Sequence, residues 1–266
     1  MVSKLFKLKH LVCATVSRYA SFEKSRNRVN ILMFHSINSE IDKHNLWDFS
    51  SAEFSKTLEL FSADENIEII STRDIENADY NNGKIKLVLS FDDGLRNNYT
   101  IAYPILRERK IPFTIFVVPG FLEDATGIYL RNSEILEMVK EGLCDIGVHG
   151  FSHRPLASLS KSEITSELRS AKDALEKIID REVSAISYPH GSVNAEVILV
   201  AQELNFRYGF SSYLGSNRVS PHIRHNLVMN RIPIYSVDSR QVVLDKALGK
   251  WNWIGQIYGR REASYS

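Results

Sequence analysis

Apolar runs the length of a β-strand recur about eight times along this chain, and most precede a stretch with the spacing of an amphipathic helix. The runs are Asn30–His35, Ile67–Ile70, Ile85–Phe91, Phe113–Pro119, Asp145–His149, Val183–Tyr188, Phe206–Tyr213 and Val228–Tyr235. Runs so continuous, rich in branched and aromatic side chains, suit strands buried on both faces, as in a parallel sheet. Between them, Ser50 with Glu53 forms a capping box ahead of Phe54, Leu58 and Phe61. Ser160 with Glu163 does the same ahead of Ile164, Leu168, Ala171, Leu175 and Ile178. Further helices are expected over Tyr99–Leu106, with Pro104 interrupting or opening it, and over Ser133–Val139, Asn194–Leu204 and Ser239–Leu248. Such alternation over 266 residues predicts an α/β chain, a single distorted (β/α) barrel of seven or eight parallel strands. A doubly wound open sheet is the alternative.

A barrel carries its site at the C-terminal ends of its strands. His35, Asp92, Asp93, His149, His153, Pro189 and His190 all fall at such ends or just beyond them. In Ser90-Phe91-Asp92-Asp93-Gly94 the strict alternation of side chains relaxes where strand gives way to loop, so both carboxylates can face one pocket. One carboxylate with the imidazoles of His149 and His153 is a sufficient ligand set for a divalent metal with an open position. The second carboxylate is then free to act as a base. The plainer readings are a polar Asp-Asp-Gly turn and two surface histidines on a helix.

Taken together and in order, Ser90–Gly94, His149-Gly-Phe-Ser-His153 and Ser187-Tyr-Pro-His-Gly191 resemble the first three motifs of the polysaccharide deacetylases, the NodB-homology domain of carbohydrate esterase family 4. Ile31–Ile37 resembles the first strand of many bacterial members, and the likeness spans roughly residues 30–235. The resemblance implies a metal site of Asp93, His149 and His153 holding Zn²⁺ (Co²⁺, Ni²⁺ and Fe²⁺ suit the same ligands). It implies Asp92 as general base and a backbone N–H of the Pro189-His190 turn as an oxyanion donor. The activity implied is removal of an N-acetyl group from a sugar of a polysaccharide or of its lipid- or nucleotide-linked precursor. A deformylase or other amidohydrolase, and a degenerate glycan-binding module, are the alternatives.

Two departures from the family pattern matter. The third motif often opens with an arginine that holds the catalytic aspartate, whereas Ala185 or Ser187 stands there. Arg231, in Asn230-Arg-Ile-Pro233, is a replacement from a neighbouring strand or a rim salt bridge. The late histidine that serves as general acid is also missing, which leaves His190, His222 and His225 as candidates. His35, Phe151, Tyr188 and Pro189 are expected to line the substrate pocket, with Trp47 and Phe91 as further stacking candidates. His44, Trp47 and Asp48 are expected on the rim loop after the first strand.

The net charge of +1 makes no electrostatic case for nucleic acid, and Cys13 with Cys144 makes no disulfide framework. Residues 1–28 form a basic amphipathic segment, Lys4, Lys7, Lys9 and Arg18 interleaved with Leu5, Phe6, Leu8, Leu11, Val12 and Val16. Its uninterrupted apolar part, Leu11–Val16, is shorter than the core of a signal peptide. The segment is expected either to lie on a membrane surface or simply to dock on the domain. The expected location is cytoplasmic, peripheral on the inner membrane face. The expected division is 1–28, a deacetylase-like domain 29–250 and a tail 251–266.

Overall fold

The computed structural model describes residues 4–19, 28–42, 44–219 and 226–258. Its centre is a ring of parallel strands: β1 (Arg28–Phe34), β2 (Ile67–Ile69), β3 (Ile85–Phe91), β4 (Phe113–Val117), β5 (Cys144–Val148), β6 (Ala185–Ser187), β7 (Tyr208–Phe210), β8 (Asn226–Met229) and β9 (Ile232–Pro233). Pairing runs β1–β3–β4–β5–β6–β7–β8, with β2 alongside the first half of β3. β9 then pairs in parallel with β1, Leu32 against Ile232. Only Asn230 and Arg231 separate β8 from β9, so one interrupted segment leaves β7 and returns to β1, and the sheet becomes a nearly closed barrel. The predicted barrel is therefore the observed one, and the open doubly wound sheet is set aside.

Strand period sets two packing layers. Val29, Ile31, Val88, Phe116, Ala185, Tyr208, Phe210 and Met229 fill the inside of the barrel. Leu32, Phe34, Leu87, Leu89, Phe91, Ile146, Val148 and Ile186 point outward to the helices. Counting on by twos, His35, Asp92, His149 and Ser187 share the inward parity and arrive at the same C-terminal rim. Gly147 belongs to this inner layer and must be glycine: a Cβ there would run into the Phe116 ring.

The surrounding helices are α1 (Lys4–Tyr19), α2 (Ser51–Ala63), α3 (Tyr103–Glu108), α4 (Asn132–Lys140), α5 (Lys161–Ile179), α6 (Ala195–Glu203), α7 (Arg240–Ala247) and α8 (Asn252–Tyr258). α5 begins with the full Ser160–Glu163 capping box and buries Ile164, Leu168, Ala171 and Leu175, with Ile179 rather than Ile178 in the last inward place. α3 is shorter than the periodicity suggests. Pro104 sits in its first turn, and a wide π-turn over Asn98–Ala102 leads into it.

Three expectations change. Val228–Tyr235 is two strand fragments rather than one, because the chain turns inward at Arg231, whose N–H donates to Tyr213 O at 2.8 Å. β6 and β7 keep three residues each: Val183 and Phe206 are buried outside the strands, and Tyr188 adds only its N–H, donated to Phe210 O at 3.1 Å. Trp251, grouped with the tail, belongs to the packed body at 8% exposure. No helix among the described residues is long and apolar enough to cross a membrane.

Candidate active site

Asp92 ends the inward row of β3, its N–H continuing the ladder to Phe34 O at 3.0 Å. Ordinary alternation would send Asp93 to the outer face. Instead Asp93 takes a left-handed φ of 72°, followed by Gly94 at 65°, which keeps both carboxylates on the rim. His153 (φ 60°) and His190 (φ 58°) are likewise left-handed, each near a glycine of positive φ, Gly150 and Gly191. Strained backbone of about 1–3 kcal/mol per residue thus concentrates at this rim.

The Asp92 carboxylate is 2% exposed and gripped by Arg231, itself 1% exposed. The guanidinium donates from Nη1 to Oδ1 at 2.7 Å and from Nη2 to Oδ2 at 2.8 Å, a two-pronged pair. Ser187 Oγ accepts from the same Nη2 at 2.9 Å and donates to Asp92 Oδ2 at 3.1 Å. Arg231 Nε donates to Ser211 O at 3.0 Å. Burial alone would raise the Asp92 carboxyl; Arg231, with His149, outweighs it and holds the group below the ordinary carboxylate range. Of the two readings open for Arg231, the geometry is that of a carboxylate-holding guanidinium.

Asp93, His149 and His153 converge beside it, each offering a ligand atom, all within 4.8 Å of one another. Asp93 Oδ1 lies 3.4 Å from the Nε2 atoms of both His149 and His153. That spacing is long for a hydrogen bond. It is what ligands about 2.0–2.1 Å from a tetrahedral ion require, since such bonds set donor atoms about 3.4 Å apart. His149 Nδ1 donates to Ser187 O at 2.8 Å, which fixes the tautomer and leaves the Nε2 lone pair facing Asp93. These three residues fit a divalent ion. Asp92 Oδ2 stands 3.9 Å from His149 Nε2, adjacent to the set and outside it.

Glu167, which sequence reasoning missed, holds the turn between the two imidazoles. Its carboxylate accepts from Phe151 N at 2.9 Å, Ser152 N at 3.0 Å and Ser152 Oγ at 2.6 Å. Nothing in the spacing of α5 marks Glu167 apart from other outward acids of that helix, so only the fold could reveal it. The 150–152 turn also packs on Gly120, whose N–H donates to Phe151 O at 2.9 Å.

The expected pocket residues divide. His35 sits at the rim with the Trp47 ring tilted against it, ring centroids 4.2 Å apart, and its carbonyl accepts from Asn98 Nδ2 at 2.7 Å. Burial keeps its imidazole below the usual pKa, against the pull of Asp93 and Asp92. Phe151 is 38% exposed beside the His149–His153 turn. Phe121 and Tyr129, their rings tilted against each other at 4.7 Å, extend that wall, with Phe121 6.3 Å from the His153 ring. His190 lies at the surface, its ring 4.5 Å from that of His153.

Tyr188 and Phe91, by contrast, are wholly buried. Tyr188 donates to Leu227 O at 2.7 Å, its even parity turning it away from the rim. Pro189 is also buried and packs against Gly150, where a Cβ would come within 3.2 Å of its ring. These two support the turn rather than line it. Asp48 is structural too: it is 2% exposed and accepts from Ser36 Oγ at 2.8 Å and Asn38 Nδ2 at 2.6 Å. His222 and His225 lie outside the described residues.

Barrel and rim together set an Asp-His-His cluster whose spacing fits a divalent ion beside an arginine-held carboxylate. Residues 79–209, just under half of the chain, match the family model described as polysaccharide deacetylase. The chain is 26% identical over 199 residues to YxkH of Bacillus subtilis, a protein assigned provisionally by name to the polysaccharide deacetylases. It is 30% identical over 145 residues to the poly-β-1,6-N-acetyl-D-glucosamine N-deacetylase of Staphylococcus aureus. These alignments cover 71% and 50% of this chain. The chain spans 66% of the first relative and 49% of the second. Among solved structures, the Streptococcus pyogenes deacetylase PplD in complex with acetate superposes with a TM-score of 0.74 at 26% identity, covering 84% of this chain and 99% of that one. IcaB from Ammonifex degensii shares the fold, with a TM-score of 0.68 at 18% identity over 84% of this chain and 98% of that one.

Proposed function

We propose that this chain is a metal-dependent hydrolase that removes the acetyl group from an N-acetylated amino sugar in a polysaccharide or its precursor, with Zn²⁺ as the ion. One observation carries the reading. Asp93, His149 and His153 surround a common centre at metal-ligand spacing, and Asp92 stands beside that centre with its charge fixed by Arg231. The family, and the amino-sugar substrate in the S. aureus relative's name, supply the substrate class.

An ion held by the three ligands supplies a Lewis acid for the amide carbonyl and an acidified water. Asp92, ionised and aimed by the guanidinium fork, takes the proton of the attacking water. Once neutral, it has a proton to return. The His190 N–H, first of the turn after β6, is the backbone donor nearest the expected oxyanion in the chain's order. Two imidazoles outside the ligand set, those of His35 and His190, are the candidates to protonate the leaving amine. His35 is the better held, between Trp47 and the two carboxylates, whereas His190 is exposed. Exchange of His35 for Asn is therefore expected to lower kcat more than the same exchange at His190; equal losses would remove His35 from the proton path. Phe121, Tyr129 and Phe151 offer apolar faces for a pyranose ring.

The direct test loads the purified chain with Zn²⁺ and offers chitooligosaccharides, β-1,6-linked N-acetylglucosamine oligomers, and lipid- and nucleotide-linked N-acetylhexosamines. Acetate and one free amine per acetate are expected from at least one. A chain that binds stoichiometric metal yet releases acetate from none would leave only a glycan-binding role.

A further inference from the structure

Helix α1 has two apolar stripes, and the barrel uses only one. Phe6, His10, Cys13 and Ser17, spaced by 4, 3 and 4, face inward. Phe6 meets the Tyr235 ring edge-on at 5.4 Å, and His10 Nε2 lies 2.7 Å from the buried Asp238 carboxylate. The His10 ring is 5.2 Å from that of Trp251, and Ser17 Oγ accepts from Trp253 Nε1 at 2.9 Å. The helix is therefore fixed to the body of the domain, as the docking expectation holds.

The other stripe has no cover among the described residues. Leu5, Leu8, Leu11, Val12, Val16 and Tyr19 are between 48% and 84% exposed. Half of the large apolar side chains that the described residues expose lie on this one helix, a concentration that marks a contact surface. Its borders identify the partner. At about 3.6 residues per turn, Lys7 and Arg18 fall along one edge of the stripe, with Lys4 just inside it, and Lys9 along the other. All four are exposed, and the helix contains no acidic residue. An apolar stripe flanked by cations suits the boundary between acyl chains and anionic headgroups. A protein partner or a second copy of this chain gives no reason for cations on both edges.

We propose that α1 seats this protein on an anionic membrane surface, its outward stripe buried among the lipids and its lysines and arginine at the headgroups. The helix also lies beside the catalytic mouth. A row of rings runs from Phe6 through Tyr235 and Trp47 to His35, with centroids 5.4, 5.2 and 4.2 Å apart. Seating α1 on a membrane thus brings the rim of the barrel alongside that surface, where a glycan borne on it is within reach. Surface binding by α1 does not depend on the reaction proposed above, and the two are tested separately.

The test is sedimentation of the full chain with phosphatidylcholine vesicles, with and without about 30% phosphatidylglycerol, at low and high salt. Wild type is expected to pellet with the anionic vesicles at low salt and to be released by salt. Exchanging Lys4, Lys7, Lys9 and Arg18 for Gln should weaken partition about fivefold per cation removed. Leu8→Ser with Val12→Ser should weaken it about tenfold or more. All six side chains are exposed and outside the catalytic machinery, so acetate release from a soluble oligosaccharide should stay unchanged in both variants. Equal pelleting with neutral and anionic vesicles, or none with either, would overturn the proposal. So would a concentration-dependent dimer of wild type that the Leu8→Ser, Val12→Ser variant abolishes.

Discussion

Asp92→Asn is expected to lower kcat by about 10²- to 10⁴-fold while the metal stays bound. The substitution keeps the shape of the side chain and removes its capacity to accept a proton. The ligand atoms of Asp93, His149 and His153 are untouched, and His149 keeps its bond to Ser187 O at 2.8 Å. One guanidinium N–H of Arg231 keeps an acceptor in the new amide oxygen. The other meets an NH₂ group, a lost charged hydrogen bond costing about 1.5–3 kcal/mol of stability. His149→Ala behaves in the opposite way. It deletes a ligand whose Nε2 stands 3.4 Å from Asp93 Oδ1, so metal content should fall with activity. Metal analysis beside initial rates separates the two variants. A fully active Asp92→Asn enzyme would remove Asp92 from the base role, and retained stoichiometric metal in His149→Ala would break the ligand set.

The meeting of these side chains at one rim was legible in the sequence because strand period is a simple rule. Residues 88, 90 and 92 share one side of β3, as do 147 and 149 of β5 and 185 and 187 of β6. Placing the inner row therefore places Asp92, His149 and Ser187 at one rim. The same rule, applied fully, would have turned Tyr188 away: one step from Ser187, it belongs to the outer layer, where it bonds Leu227 O. Asp93 breaks the rule through its left-handed backbone, which Gly94 hints at without requiring. Long-range partners were harder. Arg231 is 139 positions from Asp92, and Glu167 reaches a turn on another element; no local pattern encodes either meeting. The interruption between β8 and β9 was equally hidden, since Val228–Tyr235 reads as one apolar run and only ring closure divides it.

Arg231→Met is expected to cost about 3–5 kcal/mol of stability and about 10²-fold in kcat. The guanidinium is the chief counter-charge of a carboxylate 2% exposed, and methionine fills its volume over the Phe116 ring without replacing that charge. Asp92 would retain one donor among the side chains now around it, Ser187 Oγ at 3.1 Å. Burial, which already pushes its carboxyl upward, would then be opposed chiefly by His149. Arg231→Lys restores charge but not the fork, so it should recover part of the stability and little of the alignment. A double-mutant cycle isolates the cause. With Asp92→Asn in place no buried charge remains to be stranded, and adding Arg231→Met should cost far less than it does alone, a coupling of about 1.5–3 kcal/mol or more. Urea midpoints of the four proteins measure it. Strictly additive losses would mean that Arg231 supports the barrel seam by packing alone, and that something other than its fork keeps the base ionised.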